Sequence, residues 1–135
     1  MTTALTAEPN PIAVELSQEI ESAHRAISQN KASLLSAIQT FDSLELANEC
    51  GARTTAQFLI RRLGVSSSTA HEYVSVAHRL APFTYLQEHF STGAINYSVV
   101  RLLLKYLTPE NERELVELAL RLGYHELEVA LAGKQ

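Results

Sequence analysis

The chain has 135 residues, 46% of them hydrophobic and 19% charged, with a formal net charge of −4. That length fits one domain able to bury a core without disulfide or metal support, and the composition is that of an ordinary globular chain. No apolar run approaches the roughly 18 residues that suggest a membrane span, and the opening MTTALTAEPNP lacks the basic region and apolar stretch of a secretory signal. Cys50 stands alone. It can form neither an internal disulfide nor a zinc cage, so a reducing cytoplasm is the simplest setting, and nothing around it suggests an activated nucleophile.

Taken in chain order, the informative segments all have helical period, with no strand alternation and no Asn-Gly hairpin signal. The expected fold class is therefore all-α, a bundle of seven or eight helices. Residues 1–11 read as a flexible arm whose early structure is ended by Pro9 and Pro11, and residues 12–135 as a single helical domain. Ile12, Leu16, Ile20, Ala23 and Ile27 align on one face of a helix to about Ser28. Leu34, Leu35, Ile38, Phe41, Leu44 and Leu46 continue the pattern from about Lys31 to Asn48, either as a second helix after Asn30 or as one long helix.

The next segment, residues 54–81, reads as helix, glycine turn, helix. Thr54 and Gln57 have the spacing of a capping box. Phe58, Leu59 and Leu63 form an apolar stripe, Gly64 follows the last turn where a left-handed residue commonly closes a helix, and Val65 plugs the turn. Ser66 or Ser67 caps the following helix. In that helix Ala70, Tyr73, Val74, Ala77 and Leu80 face the core at helical spacing. Ser68, His71, Ser75, His78 and Arg79 take the opposite face. A small, polar, hydrogen-bonding face just beyond a tight turn suits a helix laid in a DNA major groove.

Supporting helices follow over residues 82–132. One is opened by Pro82, carries Phe83, Leu86 and Phe90, and stops at Gly93. Asn96 or Ser98 caps the next, which runs to Leu107. Thr108-Pro109 starts another, because proline suits the first helical position; it continues to Leu122. A last helix runs from about His125 to Leu131.

The net charge conceals an uneven distribution. Residues 1–50 carry Arg25 and Lys31 against seven acids, and residues 108–135 carry three basic residues against six acids. Between them, Arg53, Arg61, Arg62, Arg79, Arg101 and Lys105 face only Glu72 and Glu88. Phosphate attraction follows local potential rather than total charge, and this basic block coincides with the helix-turn-helix pattern. Arg61 and Arg62 complement the negative end of their helix and can also reach phosphate. Ser66, Ser67, Ser68 and Thr69 offer more hydroxyls than capping needs, at a helix N-terminus suited to anions. His71 and His78, seven apart, can donate to phosphate or base edges; their spacing is not that of a zinc pair. Tyr73, Tyr97, Tyr106 and Tyr124 read as core residues with solvated hydroxyls rather than a base-stacking set. Glu110, Glu112, Glu114 and Glu117 serve a helix dipole better than a cation. No nucleophile elbow, phosphate-binding glycine loop, His-Glu-x-x-His or dinucleotide fingerprint is present, so neither catalysis nor a cofactor is expected.

Gly51 through Thr54, Leu63-Gly64-Val65-Ser66, Val76 through Leu80, Thr92 through Ile95, and Leu107 through Glu110 together resemble the actinobacterial 13E12-repeat family, known as domain of unknown function 222. The matching pieces span roughly residues 30–132. The resemblance implies a domain that often precedes an HNH-type nuclease module. No His-Asn-His constellation occurs here, so that activity does not carry over. The Leu-Gly-Val-Ser turn, the helix ending in Arg-Leu and Phe-x-Thr-Gly-x-Ile are more distantly similar to the DNA-binding core of partition proteins. In those, the helix after the turn reads DNA. This chain offers fewer arginines and lysines there.

These readings converge on a non-catalytic, cytoplasmic module for double-stranded DNA. Its expected contacts are Arg53, Arg61, Arg62, Ser66, Ser67, Ser68, Thr69, His71, Ser75, His78 and Arg79. The rival expectation is a protein-interaction bundle that forms a homodimer through the acidic helices of residues 12–48. An accessory domain that positions a nuclease on DNA is a third.

Overall fold

The computed structural model describes residues 10–133, and among them it contains seven α-helices and no strand. The first, α1, spans Pro11–Ser43 without a break, so Asn30 separates nothing. Of the arm expected over residues 1–11, residues 1–9 lie outside the described residues. Asn10 caps α1 by accepting from the Ile12 amide at 2.8 Å, and Pro11 occupies the first helical position instead of ending structure.

The end of α1 departs from its apolar periodicity. The Leu46 amide reaches back to the Phe41 carbonyl at 3.1 Å and the Glu45 amide to Asp42 at 3.0 Å, closing the helix at Ser43. Glu45 takes the left-handed conformation, φ 55°, that glycine usually supplies in this motif. Leu44 is left exposed, while the reversal tucks Ala47 into the core on a 3₁₀ turn, Ala47–Cys50. The expectation of helix as far as Asn48 is corrected accordingly.

Helix α2 spans Thr55–Leu63 and α3 spans Ser67–Leu80. Thr54 caps α2 by accepting from the Gln57 amide at 3.0 Å, and Gln57 returns the favour one residue earlier than a capping box requires, at the Arg53 amide, 2.6 Å. Gly64, φ 71°, closes α2, and Val65 packs partly against the core. Thr55, Ala56 and Leu59 make the buried face of α2; Leu63, expected in its apolar stripe, is half exposed at the last turn. On α3 the buried positions are Ala70, Val76, Ala77 and Leu80, with Tyr73 and Val74 only partly covered.

Helices α4 (Thr84–Ser91), α5 (Tyr97–Leu104), α6 (Glu112–Arg121) and α7 (Tyr124–Ala132) complete the bundle. Asn96, not Ser98, caps α5, accepting from the Val99 amide at 3.0 Å. Helix α6 starts at Glu112, because Thr108 and Asn111 exchange side-chain and backbone hydrogen bonds and Asn111 also donates to the Tyr106 carbonyl. Thr108-Pro109 therefore belongs to a turn and does not open the helix. Glu112 reaches across to accept from the Leu86 amide at 3.0 Å in the first turn of α4. The core is a continuous cluster that includes Leu35, Ile38, Leu86, Phe90, Val100, Leu103, Leu115, Val116, Leu127 and Leu131. Gly93, φ 84°, sits against α1, where a β-carbon would collide with Arg25 Cγ and meet the Arg25 carbonyl at 2.9 Å.

Three helices converge on Asp42 near the end of α1. Its carboxylate accepts from the Thr55 hydroxyl of α2 and, at 2.6 Å, from Nε2 of His78 on α3. The Thr55 bond first, and the His78 bond second, hold this carboxyl below its ordinary value of 3.8, with partial burial working against them. A carboxyl lowered on folding stabilises the fold above its unfolded value and loses that contribution as pH falls through the folded value. Asp42→Asn is therefore expected to cost about 1–2 kcal/mol at neutral pH, a charge-assisted hydrogen-bond magnitude discounted for solvent access. The gap between wild type and variant in urea unfolding should close as pH drops below about 4. A gap that stays constant down to acid would contradict the assignment.

Candidate nucleic-acid interface

The turn between α2 and α3 is built by three local interactions. Ser66 accepts from the Thr69 amide at 3.1 Å and its hydroxyl also meets Thr69 Oγ1 at 3.0 Å. Gly64 in the left-handed region takes the chain out of α2, and Val65 anchors the corner to the core. Ser66 and Thr69 are thus committed chiefly to the cap, while Ser67 and Ser68 are exposed beside it.

Along α3, Ser67, Ser68, His71, Ser75 and Arg79 are all exposed. The flank expected to face a partner is open to solvent. His71 Nδ1 lies 2.8 Å from the Ser67 carbonyl, which can only accept, so Nδ1 carries a proton and Nε2 is the ring atom left for a partner. Arg79 is held in place, with Nη2 donating to the Leu104 carbonyl at 2.8 Å at the end of α5.

His78 also has a partner within the fold. Helical spacing groups it with His71, and its imidazole meets Asp42 and ties α3 to α1 while its side chain stays 39% exposed. Lys31 performs a similar task higher on α1. Its ammonium donates to the Tyr73 hydroxyl at 2.7 Å and lies over the rings of Tyr73 and Tyr97 at 4.6 and 4.8 Å. Tyr97 in turn donates to Glu72 at 3.0 Å, and burial, followed by that bond, pushes its phenol well above its ordinary value of 10. It remains a donor at any physiological pH.

The cations are distributed around this flank. Arg53, Arg61 and Arg62 are exposed on and beside α2. Arg61 Nη1 donates to the Gly51 carbonyl at 3.0 Å, and the Arg62 guanidinium stacks over Phe58 at 5.1 Å, itself packed on Phe41. Both side chains are partly ordered by neutral partners, and neither forms an ion pair among the described residues. Arg101 on α5 pairs with Glu72 at 3.0 Å, and Lys105, the C-cap of that helix one turn further on, is exposed. Position in the basic block marked these two residues, but no motif did; only the packing of α5 beside α3 brings them to the same surface.

An open groove of about 680 Å³ between α1, the end of α3 and α4 is lined mainly by small or neutral side chains such as Ser33, Ser36, Ala37 and Ala81, and among the described residues its one charged side chain is Glu88. It presents no cation to an anion. Among the described residues no group of three or more His, Cys, Asp or Glu side chains is placed to hold a metal ion, and no helix is long and apolar enough to cross a membrane.

Comparison with known proteins gave one result. A search of the curated proteins found no match, and neither did a search of the solved structures. The model of the family described as "Domain of unknown function (DUF222)" matches residues 14–121, which takes in α1 through the end of α6. With most of its length covered by that match, the chain belongs to the DUF222 family.

Proposed function

We propose that this domain binds double-stranded DNA without catalysis, with α3 as the element that enters the major groove. The observation that carries the reading is the open flank of Ser68, His71, Ser75 and Arg79, set just after a tight turn that follows a helix ending in the exposed Arg61 and Arg62. Short hydroxyl side chains allow close approach of a helix to base edges, and imidazole supplies one directional contact. Arg61 and Arg62 stand at the end of α2 nearest the turn, where they meet phosphates, and Arg53 extends that contact. The modest number of cations fits a weak or assisted binder, such as a domain that positions a nuclease module on DNA inside the cytoplasm. Arg61→Ala with Arg62→Ala is expected to weaken binding to every duplex sequence about tenfold in low salt. It should also reduce the slope of log affinity against log salt by about 1–2 units, as counterion release requires. Fluorescence anisotropy across a salt series measures both, and unchanged affinity and slope would remove these residues from the interface.

A second reading rests on a separate observation. Residues 11–27 of α1 are exposed throughout, and Ile12, Leu16, Ile20 and Ile27, each at least half exposed, align on one side. Among the described residues nothing covers that stripe. Pairing of two copies through this part of α1 would cover it, and twofold dimers are the commonest homo-oligomers. DNA binding and pairing are compatible, since α3 and the first half of α1 are separate surfaces. Ile20→Glu is expected to shift the molecule to monomer in sedimentation equilibrium while leaving its helical content intact. A wild-type chain that is monomeric at high concentration would contradict this pairing.

A further inference from the structure

Ser98, Arg101 and Lys105 are three and four residues apart and so share one face of α5. With Asn96, Leu102 and Tyr124 they line an open groove of about 400 Å³. Five of those six side chains end in N–H or O–H donors, two of the five are cationic, and no carboxylate lines the groove. Glu72 approaches from α3, and it engages Arg101 Nη2 at 3.0 Å, fixing the guanidinium at the rim. Lys105 is exposed and its ammonium has no partner among the described residues.

The groove adjoins the exposed flank of α3 through two contacts. Glu72 bonds Arg101 and Tyr97, and Arg79 bonds the Leu104 carbonyl one residue before Lys105. Positions 72 and 79 are seven apart and lie along the same side of α3. A duplex lying against Ser68, His71 and Ser75 therefore has the donor face of α5 along the border that Glu72 and Arg79 form.

From this placement we propose that the α5 groove is a second phosphate-binding site, one that grips the DNA backbone along the border where α3 meets α5. Lys105 supplies the free charge. Arg101, oriented by Glu72, supplies a directional donor, and Ser98, Asn96 and Tyr124 supply neutral ones. Arg and Lys placed together match a phosphate's spread of negative oxygens better than either alone. The inference rests on the reading of α3 as the DNA-contacting helix and adds a second strand contact to it.

The test is Lys105→Gln, which removes the charge of an exposed side chain that makes no hydrogen bond or ion pair among the described residues, with the fold checked by circular dichroism. Its affinity for a labelled mixed-sequence duplex is followed across a sodium chloride series beside wild type and the Arg61/Arg62 double variant. The site predicts a loss of about threefold to fivefold in low salt and a salt slope shallower by about 0.9, the value of one phosphate contact. If the double variant binds weakly while Lys105→Gln matches wild type in both measures, the α5 site is overturned and the α3 reading stands. If wild type binds no duplex at all, both fall. Inorganic phosphate in place of chloride at matched ionic strength separates the sources: amide shifts at Ser98 and Lys105 with phosphate alone, together with an unaltered duplex affinity in Lys105→Gln, assign the groove to a free anion and overturn the duplex contact.

Discussion

The carboxylate of Asp42 and the ammonium of Lys31, both on α1, hold α3 against the spine of the bundle with opposite charges. Asp42 collects His78 from α3 and Thr55 from α2, while Lys31 sits under the rings of Tyr73 and Tyr97. Between these polar ties, Leu35 and Ile38 of α1 and Ala70 and Ala77 of α3 are nearly sealed from solvent. The small side chains on α3 permit close approach, and the polar ties set its rotation about its own axis. That rotation decides which residues are left outside. With His78 tied to Asp42, the fully exposed positions of the strip are Ser67, Ser68, His71, Ser75 and Arg79. A different rotation would bury the hydroxyls and expose the anchors, so the candidate surface depends on the geometry of the side of α3 that faces away from it.

Charge is arranged on the same principle of separation. The acids concentrate in α1 and α6, whereas the cations concentrate from Arg53 to Lys105. At physiological ionic strength, screening falls off over about 8 Å, so acids on distant helices do little to the potential at α3. Net charge therefore says little about the partner, and the local balance says more. Glu72 is the one acid on the α3 surface itself, and it is bound by Arg101 and Tyr97. Its charge is shared with a guanidinium and does not face a phosphate alone.

Local hydrogen-bond chemistry made much of this legible in the sequence. Thr54 caps the helix its spacing assigns to it, Ser66 and Asn96 each supply a cap for which the spacing offered two candidates, and Gly64 closes α2 with a positive φ. These signals involve neighbours within four positions, so they survive whatever the rest of the chain does. The failures have a common origin in contacts made at long range or by rare conformations. Glu45 adopts a left-handed backbone that its side chain disfavours, and α1 ends where no glycine announces it. Thr108-Pro109 looks like a helix start, yet Asn111 ties the segment into a turn first. His78 matches the period of a surface residue, and only the approach of Asp42, distant in sequence, gives it a partner within the fold. Arg101 and Lys105 carry no motif and gain their place solely from the packing of α5 beside α3.

The proposed surface is made almost entirely of side chains that are polar, short and outward-facing, with aromatic and apolar groups kept on the other side of α3. Such a face has little to offer a protein partner that seeks buried apolar area, and much to offer an anionic, hydrogen-bonding one. The most direct measurement is amide chemical-shift mapping of the isotope-labelled domain titrated with a mixed-sequence duplex in low salt. The account predicts that the largest changes fall on Ser67, Ser68, His71 and Ser75, with smaller ones on Arg61 and Arg62. Changes confined to residues 12–27, or none at any position, would contradict it.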